Sequence, residues 1–134
     1  MRRALALICT PLCALAVSAC ATTTATGNFK GTEHDVAQTV ANLQSDVTAA
    51  DEKKICSQDL AAKVVTSLGG TKACETAIKE QLAEIDGSEA NVESIQVSGT
   101  TATAKVKSTF AGKKTLSTVA LVEEGGKWKI SALQ

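Results

Sequence analysis

The sequence has no tyrosine, and its aromatic side chains are limited to two phenylalanines and one tryptophan. Proteins that bind bases or sugars by stacking need exposed aromatic rings, so this composition argues against that mode of binding. The chain also lacks an excess of either charge, since 14 basic residues face 14 acidic ones. A strongly basic nucleic-acid-binding surface is therefore excluded on electrostatic grounds, and we expect no nucleic-acid partner.

Histidine and familiar catalytic motifs are scarce as well. His34 is the single histidine, so the sequence does not supply the several His and Cys ligands of a typical metal site, and we expect no bound metal. The sequence has no Gly-x-Ser-x-Gly elbow and no glycine-rich phosphate loop ahead of a helix. We therefore assign no catalytic residue and expect no cofactor.

The N-terminal segment resembles the export signal of a bacterial lipoprotein. Two arginines precede an apolar run over residues 4–17, which is too short for a convincing membrane-spanning helix. The following sequence Val17-Ser18-Ala19-Cys20 resembles a lipobox. The resemblance implies that residues 1–19 are a signal peptide and that Cys20 carries a diacylglycerol. Such a lipid would anchor the protein to the extracytoplasmic face of the cell membrane. The alternative is an ordinary secretory signal with a chance cysteine after the cleavage site.

The cysteines fit an exported protein. If the signal peptide is removed and Cys20 is lipidated, Cys56 and Cys74 remain as an even pair. In an oxidising compartment such a pair is expected to form a disulfide, and closing this loop would stabilise the fold by on the order of 3 kcal/mol. Two buried free thiols are the main alternative, because neither a CxxC motif nor further metal ligands accompany the pair.

Residues 20–31 are rich in threonine and glycine and have no apolar periodicity, so we expect a flexible tether after the lipidated cysteine. Helical periodicity begins at Thr32, which we expect to cap the first helix, and an apolar stripe continues to Val47. We expect a second helix over about residues 58–68, with Ser57 as its cap and the Gly69-Gly70 pair at its end. A third helix should run from Thr71 to Ile85.

The pattern changes to strands at Asn91. Polar and apolar residues alternate over residues 91–98 and 101–107, and a longer apolar run lies within residues 116–124. A Gly125-Gly126 turn leads into a last strand that starts at Trp128. We therefore expect residues 32–134 to form one α+β domain, with N-terminal helices packed on a curved four-stranded antiparallel sheet.

Two stretches of the sheet resemble the NTF2-like (cystatin-like cone) superfamily, and more narrowly its small exported actinobacterial lipoproteins. They are Ile95-Gln96-Val97-Ser98-Gly99-Thr100-Thr101-Ala102 and Glu124-Gly125-Gly126-Lys127-Trp128-Lys129-Ile130. The resemblance implies a cone with a pocket between the helices and the concave face of the sheet. In the enzymes of the superfamily, which include isomerases, dehydratases and cyclases, that pocket holds an acid–base pair of Asp, His or Tyr residues.

This chain has few residues that could form such an acid–base pair. We expect His34 to be exposed and the aspartates to be helix caps or solvated charges, while Glu93 is the one ambiguous carboxylate. The aspartates are Asp35, Asp46, Asp51, Asp59 and Asp86. The sequence therefore favours a membrane-anchored, non-catalytic module that binds a partner protein or a small apolar ligand. The alternative is an NTF2-like enzyme that uses an unrecognised carboxylate.

Overall fold

The computed structural model describes residues 26–85, 88–110 and 112–134, with only the backbone described at Ser88 and Phe110. The predicted signal peptide 1–19, Cys20 and the first part of the tether lie outside the described residues. Within those residues, no helix is both long enough and apolar enough to span a membrane. The helices are α1 (Thr32–Thr48), α2 (Glu52–Lys54), which continues as a π-helical turn (Ile55–Asp59), α3 (Ala62–Ser67) and α4 (Thr71–Leu82).

Helix α1 lies against the sheet through the apolar stripe that the sequence predicts. Val36, Ala37 and Val40 are buried on it, and Leu43 and Val47 pack at the edge of the same core. The predicted cap is wrong in detail. Gly31 is the N-cap residue, with a φ of 56°, and no side chain caps the helix.

The segment from Asp51 to Leu60 differs most from the sequence prediction. A single helix over residues 58–68, capped by Ser57, is wrong in its first part, because residues 55–59 form a π-helical turn and helix α3 begins only at Ala62. The Asp51 carboxylate caps α2 by accepting a hydrogen bond from the Lys54 N–H. The π-helical turn then ends at Leu60, whose N–H donates to the Ile55 carbonyl, 3.0 Å away. The chain is extended at this point, and the Ala61 N–H donates to the Ile130 carbonyl, 2.8 Å away. Helix α3 starts only after this contact with the sheet.

A disulfide joins the π-helical turn to helix α4. The Cys56 and Cys74 sulfurs are 2.02 Å apart, and both residues are buried. The pairing expected from the cysteine count is present. As a result, the short helical segment that contains Cys56 is covalently held against α4.

The sheet is an antiparallel meander in the order β1-β2-β3-β4. Its strands are β1 (Ser88–Ser98), β2 (Thr101–Phe110), β3 (Lys113–Glu124) and β4 (Lys127–Leu133). At the last hairpin Glu124 pairs with Lys127, and both turn residues, Gly125 and Gly126, have positive φ, as the Gly-Gly sequence predicts. One face of the sheet supplies most of the core, through Ile95, Ala102, Ala104, Val106, Val119, Leu121, Trp128 and Ile130. The predicted α+β class and the order of its elements are confirmed.

Candidate functional site

A cleft of about 840 Å³ opens between helix α1, the π-helical turn and the end of the sheet near the β3–β4 hairpin. We call it the α1 cleft. Helix α1 contributes neutral hydrogen-bonding side chains at a helical spacing, namely Gln38, Thr39, Asn42 and Ser45. Acidic groups are contributed by Asp35, Asp46, Asp59 and Glu123, and basic groups by Lys54, Lys127 and Lys129. The lining is therefore mainly polar, with four carboxyl groups and three ammonium groups.

Asp59 is the most unusual side chain in the α1 cleft. It lies at the end of the π-helical turn and is only 4% exposed, which makes it the one buried charged or polar residue in the described part of the chain. Within that same part, its Oδ2 atom has no hydrogen-bond partner. A buried polar atom without a partner typically costs about 1–3 kcal/mol, so this carboxyl is a strong candidate for a functional group.

The neighbouring carboxyl of Asp46 explains how Asp59 is tolerated inside the fold. Burial, the charge of Asp46 and a hydrogen bond with Asp46, in that order of size, together raise the pKa of Asp59 from its ordinary 3.8 to about 7. Two carboxyl groups can share a hydrogen bond only when one of them holds a proton. Below about pH 7 Asp59 is therefore largely neutral and donates a hydrogen bond to Asp46. We call these two side chains the carboxyl pair.

Two lysines near the carboxyl pair lower the pKa of Asp59 without neutralising the buried group directly. The Lys54 Nζ atom lies 3.6 Å from Asp46 Oδ1 and 3.9 Å from Asp51 Oδ2. The Lys129 Nζ atom donates to the carbonyl of Gln58. Among the described residues, neither ammonium group forms an ion pair with Asp59. These two cations therefore contact other acceptors.

The sequence-based expectation for Asp59 is therefore wrong, since the residue is neither a cap nor a solvated charge. The expectation holds for Asp51, which caps α2, and for Asp35, which is exposed. Asp46 lies between these cases, because its side chain is 14% exposed. Asp86 lies outside the described residues.

The two remaining polar candidates lie away from the α1 cleft. Glu93 is exposed at a β-bulge in β1 and pairs with Lys107, with 3.3 Å between Oε1 and Nζ, so it does not enter the concave face. His34 is half-buried rather than fully exposed, and its Nδ1 atom lies 3.3 Å from the Thr26 carbonyl. Neither residue is brought to the carboxyl pair.

Trp128 belongs both to the hydrophobic core and to the lining of the α1 cleft. The residue is 7% exposed, as expected for a side chain that seals the core beside Ile130, and it also lines the cleft. The Thr39 hydroxyl donates a hydrogen bond to the backbone carbonyl of Trp128, 3.4 Å away. Because Trp128 is the single tryptophan of the chain, its fluorescence is a specific reporter of the cleft.

The helices followed by a four-stranded antiparallel sheet define an NTF2-like α+β domain. A solved structure named Rd1NTF2_05_I64F_A80G_T94P_D101K_L106W aligns with a TM-score of 0.52 at 16% identity, covering 76% of this chain and 97% of that one. A second, titled "De novo designed NTF2 fold protein NT-9", aligns with a TM-score of 0.42 at 16% identity and covers 72% and 78% of the two chains. No curated protein matches the sequence.

The family described as "Putative lumazine-binding" matches residues 62–132, which is just over half of the chain, and this protein belongs to that family. The matched region contains α3, α4 and the whole sheet, and it includes Trp128 and Lys129 of the α1 cleft. Helix α1 and the carboxyl pair lie before the match. The family match therefore covers the sheet side of the cleft.

Proposed function

We propose that this protein is an exported, lipid-anchored binding module that holds a small polar ligand in the α1 cleft. The observation that supports this proposal best is the cleft itself, because about 840 Å³ lies within the range typical of small-molecule sites. Most of its lining side chains are hydrogen-bonding groups, so the site is better suited to a polar ligand than to the apolar one expected from the sequence.

The family description suggests the type of ligand. Lumazine is a planar, fused nitrogen heterocycle that has both N–H and C=O groups. The neutral side chains of α1, such as Gln38 and Asn42, can donate to and accept from such a ring. We therefore propose a lumazine-like heterocycle as the first ligand to test.

The cellular part of the proposal rests on the N-terminal sequence. Arg2 and Arg3, the apolar run and the Val17–Cys20 lipobox agree with export and lipidation of Cys20, as in small lipoproteins of the actinobacterial type. Residues 21–31 would then connect the lipid to helix α1 and leave the cleft accessible outside the membrane. A partner protein at the cell surface is compatible with the same arrangement.

Titration of the purified domain with lumazine tests the binding proposal. Trp128 fluorescence and calorimetry should both report saturable binding. Asn42 is exposed on the cleft face of α1, so Asn42→Arg should place a long side chain in the cleft and weaken binding at least about tenfold, or about 1.4 kcal/mol. The control is Asn91→Arg, the same change at an exposed position of β1 outside the cleft lining. Absence of lumazine binding, or equal binding by the two variants, would contradict the proposal.

Acid–base catalysis is a second candidate, favoured specifically by Asp59. A carboxyl group with a pKa of about 7, beside a second carboxyl in a cleft, has the properties of a general acid or base at neutral pH. This arrangement fits the alternative of an NTF2-like enzyme with an unrecognised carboxylate. The discriminating test is incubation of wild type and Asp59→Asn with any ligand that the titration identifies. Turnover that is lost in the variant, while binding remains, would establish the enzyme.

A further inference from the structure

We propose that the end of the domain that carries the α1 cleft rests against the phospholipid headgroup layer of the membrane to which Cys20 anchors the protein. The inference rests on the lipid anchor of the proposed function, and it adds the orientation of the domain and the surface that meets the membrane. It depends on three observations: the packing of residues 26–31, the length of chain between them and Cys20, and the position of the cleft.

The last part of the predicted tether packs on the domain. The Phe29 N–H donates to the Thr26 carbonyl, 3.2 Å away, and this bond closes a turn. The same carbonyl lies 3.3 Å from the Nδ1 atom of His34, in the first turn of α1. The Phe29 side chain packs against the hydrophobic core. Thr26 is therefore held beside the start of α1, and residues 26–31 add no reach to the lipid anchor.

The chain between the anchor and this packed segment is short, because Thr26 is the sixth residue after Cys20. An extended chain spans at most about 3.6 Å per residue, so Thr26 can lie no more than about 22 Å from Cys20. Strand β2 has 10 residues, which separates the two ends of the sheet by about 30 Å. An inverted domain, with the β2–β3 hairpin on the membrane, would raise Thr26 by about that distance. The connecting chain cannot reach so far.

The α1 cleft opens at the end of the domain where the chain enters. Its lining includes Thr32 at the start of α1, Gly99 of the β1–β2 turn and Gly126 of the β3–β4 turn. The two turns lie side by side, since the Glu123 N–H donates to the Thr100 carbonyl, 2.8 Å away. We call the first turn of α1 and these two turns the cleft end. The short chain keeps the cleft end toward the membrane, so a ligand should enter the cleft from the layer next to the headgroups.

The surface chemistry of the cleft end fits a layer of polar headgroups. Within the described part of the chain, none of the exposed large apolar side chains belongs to this end, so it has no group suited to insertion into hydrocarbon. Its exposed charged side chains have both signs, namely Lys30, Lys127, Glu33, Asp35 and Glu123. Lysine side chains at a membrane interface extend their ammonium groups toward the headgroups. Because both signs are present, the contact does not require anionic lipid, and phosphatidylcholine is a sufficient probe.

Energy transfer from two matched sites to labelled lipid headgroups tests the orientation. Lys127 and Lys113 are exposed and begin β4 and β3, directly after turns at opposite ends of the sheet. Lys127→Cys and Lys113→Cys are prepared separately as lipidated protein and labelled with one fluorophore, since Cys56 and Cys74 are bonded to each other. The proteins are then bound to phosphatidylcholine vesicles that carry an acceptor on the outer headgroups.

We expect the transfer efficiency from position 127 to be at least about twofold higher than from position 113, because the two sites are about 30 Å apart along the sheet. Equal transfer, or higher transfer from position 113, would overturn the inference.

A longer connecting chain tests the cause of the orientation. Insertion of twelve glycine and serine residues between Cys20 and Thr26 increases the maximal reach by about 40 Å and leaves the described residues unchanged. The insertion should remove most of the difference between the two labelled sites while the protein stays on the vesicles. A difference of the original size would contradict the role of the short chain, and with it the inference.

The inference and the proposed function fail in different ways. If the mature protein carries no lipid or does not attach to vesicles, the proposed anchor and the inference are both wrong. If the protein attaches and the two sites transfer equally, only the orientation is wrong. Binding of lumazine in the α1 cleft is measured separately on the purified domain, so neither result affects that part of the proposed function.

Discussion

Replacement of Asp59 by asparagine should change how the stability of this domain depends on pH. Asp59 has an ordinary pKa of 3.8 when unfolded and a pKa of about 7 in the folded protein, mainly because of burial. A raised folded-state pKa favours the folded protein at low pH, where both states hold the proton. That stabilisation is fully present below about pH 4 and is lost as the pH rises to about 7.

The expected size of the effect follows from the pKa difference. One pKa unit corresponds to about 1.4 kcal/mol, so ionisation of Asp59 should lower the free energy of unfolding by at most about 4 kcal/mol. Lys54 and Lys129 already moderate this cost, since both lower the pKa of Asp59. Asparagine cannot ionise. The stability of Asp59→Asn relative to wild type should therefore increase as the pH rises from 4 to about 7, and it should be constant above that.

Urea denaturation followed by Trp128 fluorescence, with the disulfide intact, measures this difference at each pH. The difference between the two proteins is informative because carboxylates that do not interact with Asp59 contribute equally to both, which leaves Asp59 and its partner Asp46. Glu93→Gln is the matched control, and its difference from wild type should vary by only a few tenths of a kcal/mol, as is typical of an exposed ion pair. A difference for Asp59→Asn that is flat between pH 4 and 8 would refute the argument that Asp59 is a buried, protonated carboxyl.

Three further predictions concern the anchor, the disulfide and the cleft charge. Cys20→Ala should release the protein from membranes in cell fractionation, whereas unchanged retention would reject lipidation. The double variant Cys56→Ser with Cys74→Ser should lower the free energy of unfolding by about 3 kcal/mol in urea, because the closed loop spans a separation of 18 residues; an unaltered midpoint would contradict this. Lys129→Gln should raise the pKa of Asp59 above about 7 in an NMR titration, since the Lys129 charge lowers it; no upward shift would contradict the assignment.

The sequence was informative wherever apolar periodicity and turn chemistry act locally. The stripe of α1, the Gly-Gly hairpin before Trp128 and the alternating strand β2 all have short-range signals, and their structures follow the predictions. These features define one buried face for each element, so the helix-on-sheet architecture follows from them.

The site was harder to predict because its central residue depends on long-range packing. The burial of Asp59 requires the π-helical turn, the disulfide at Cys56 and the contact of Ala61 with Ile130. The one local signal is its position between two apolar residues, Ile55 and Leu60, and this alone does not distinguish a buried aspartate from a solvated one.

The central claim is that this domain binds a small ligand in the α1 cleft, and NMR mapping of the bound site tests it most directly. Addition of lumazine to isotope-labelled domain should shift the backbone resonances of α1 around Asn42, of the π-helical turn around Asp59 and of β4 around Trp128. Residues of the exposed face of β2, such as Thr103, should not shift. Shifts confined to the sheet face around Thr103, or no shifts at any position, would contradict the claim.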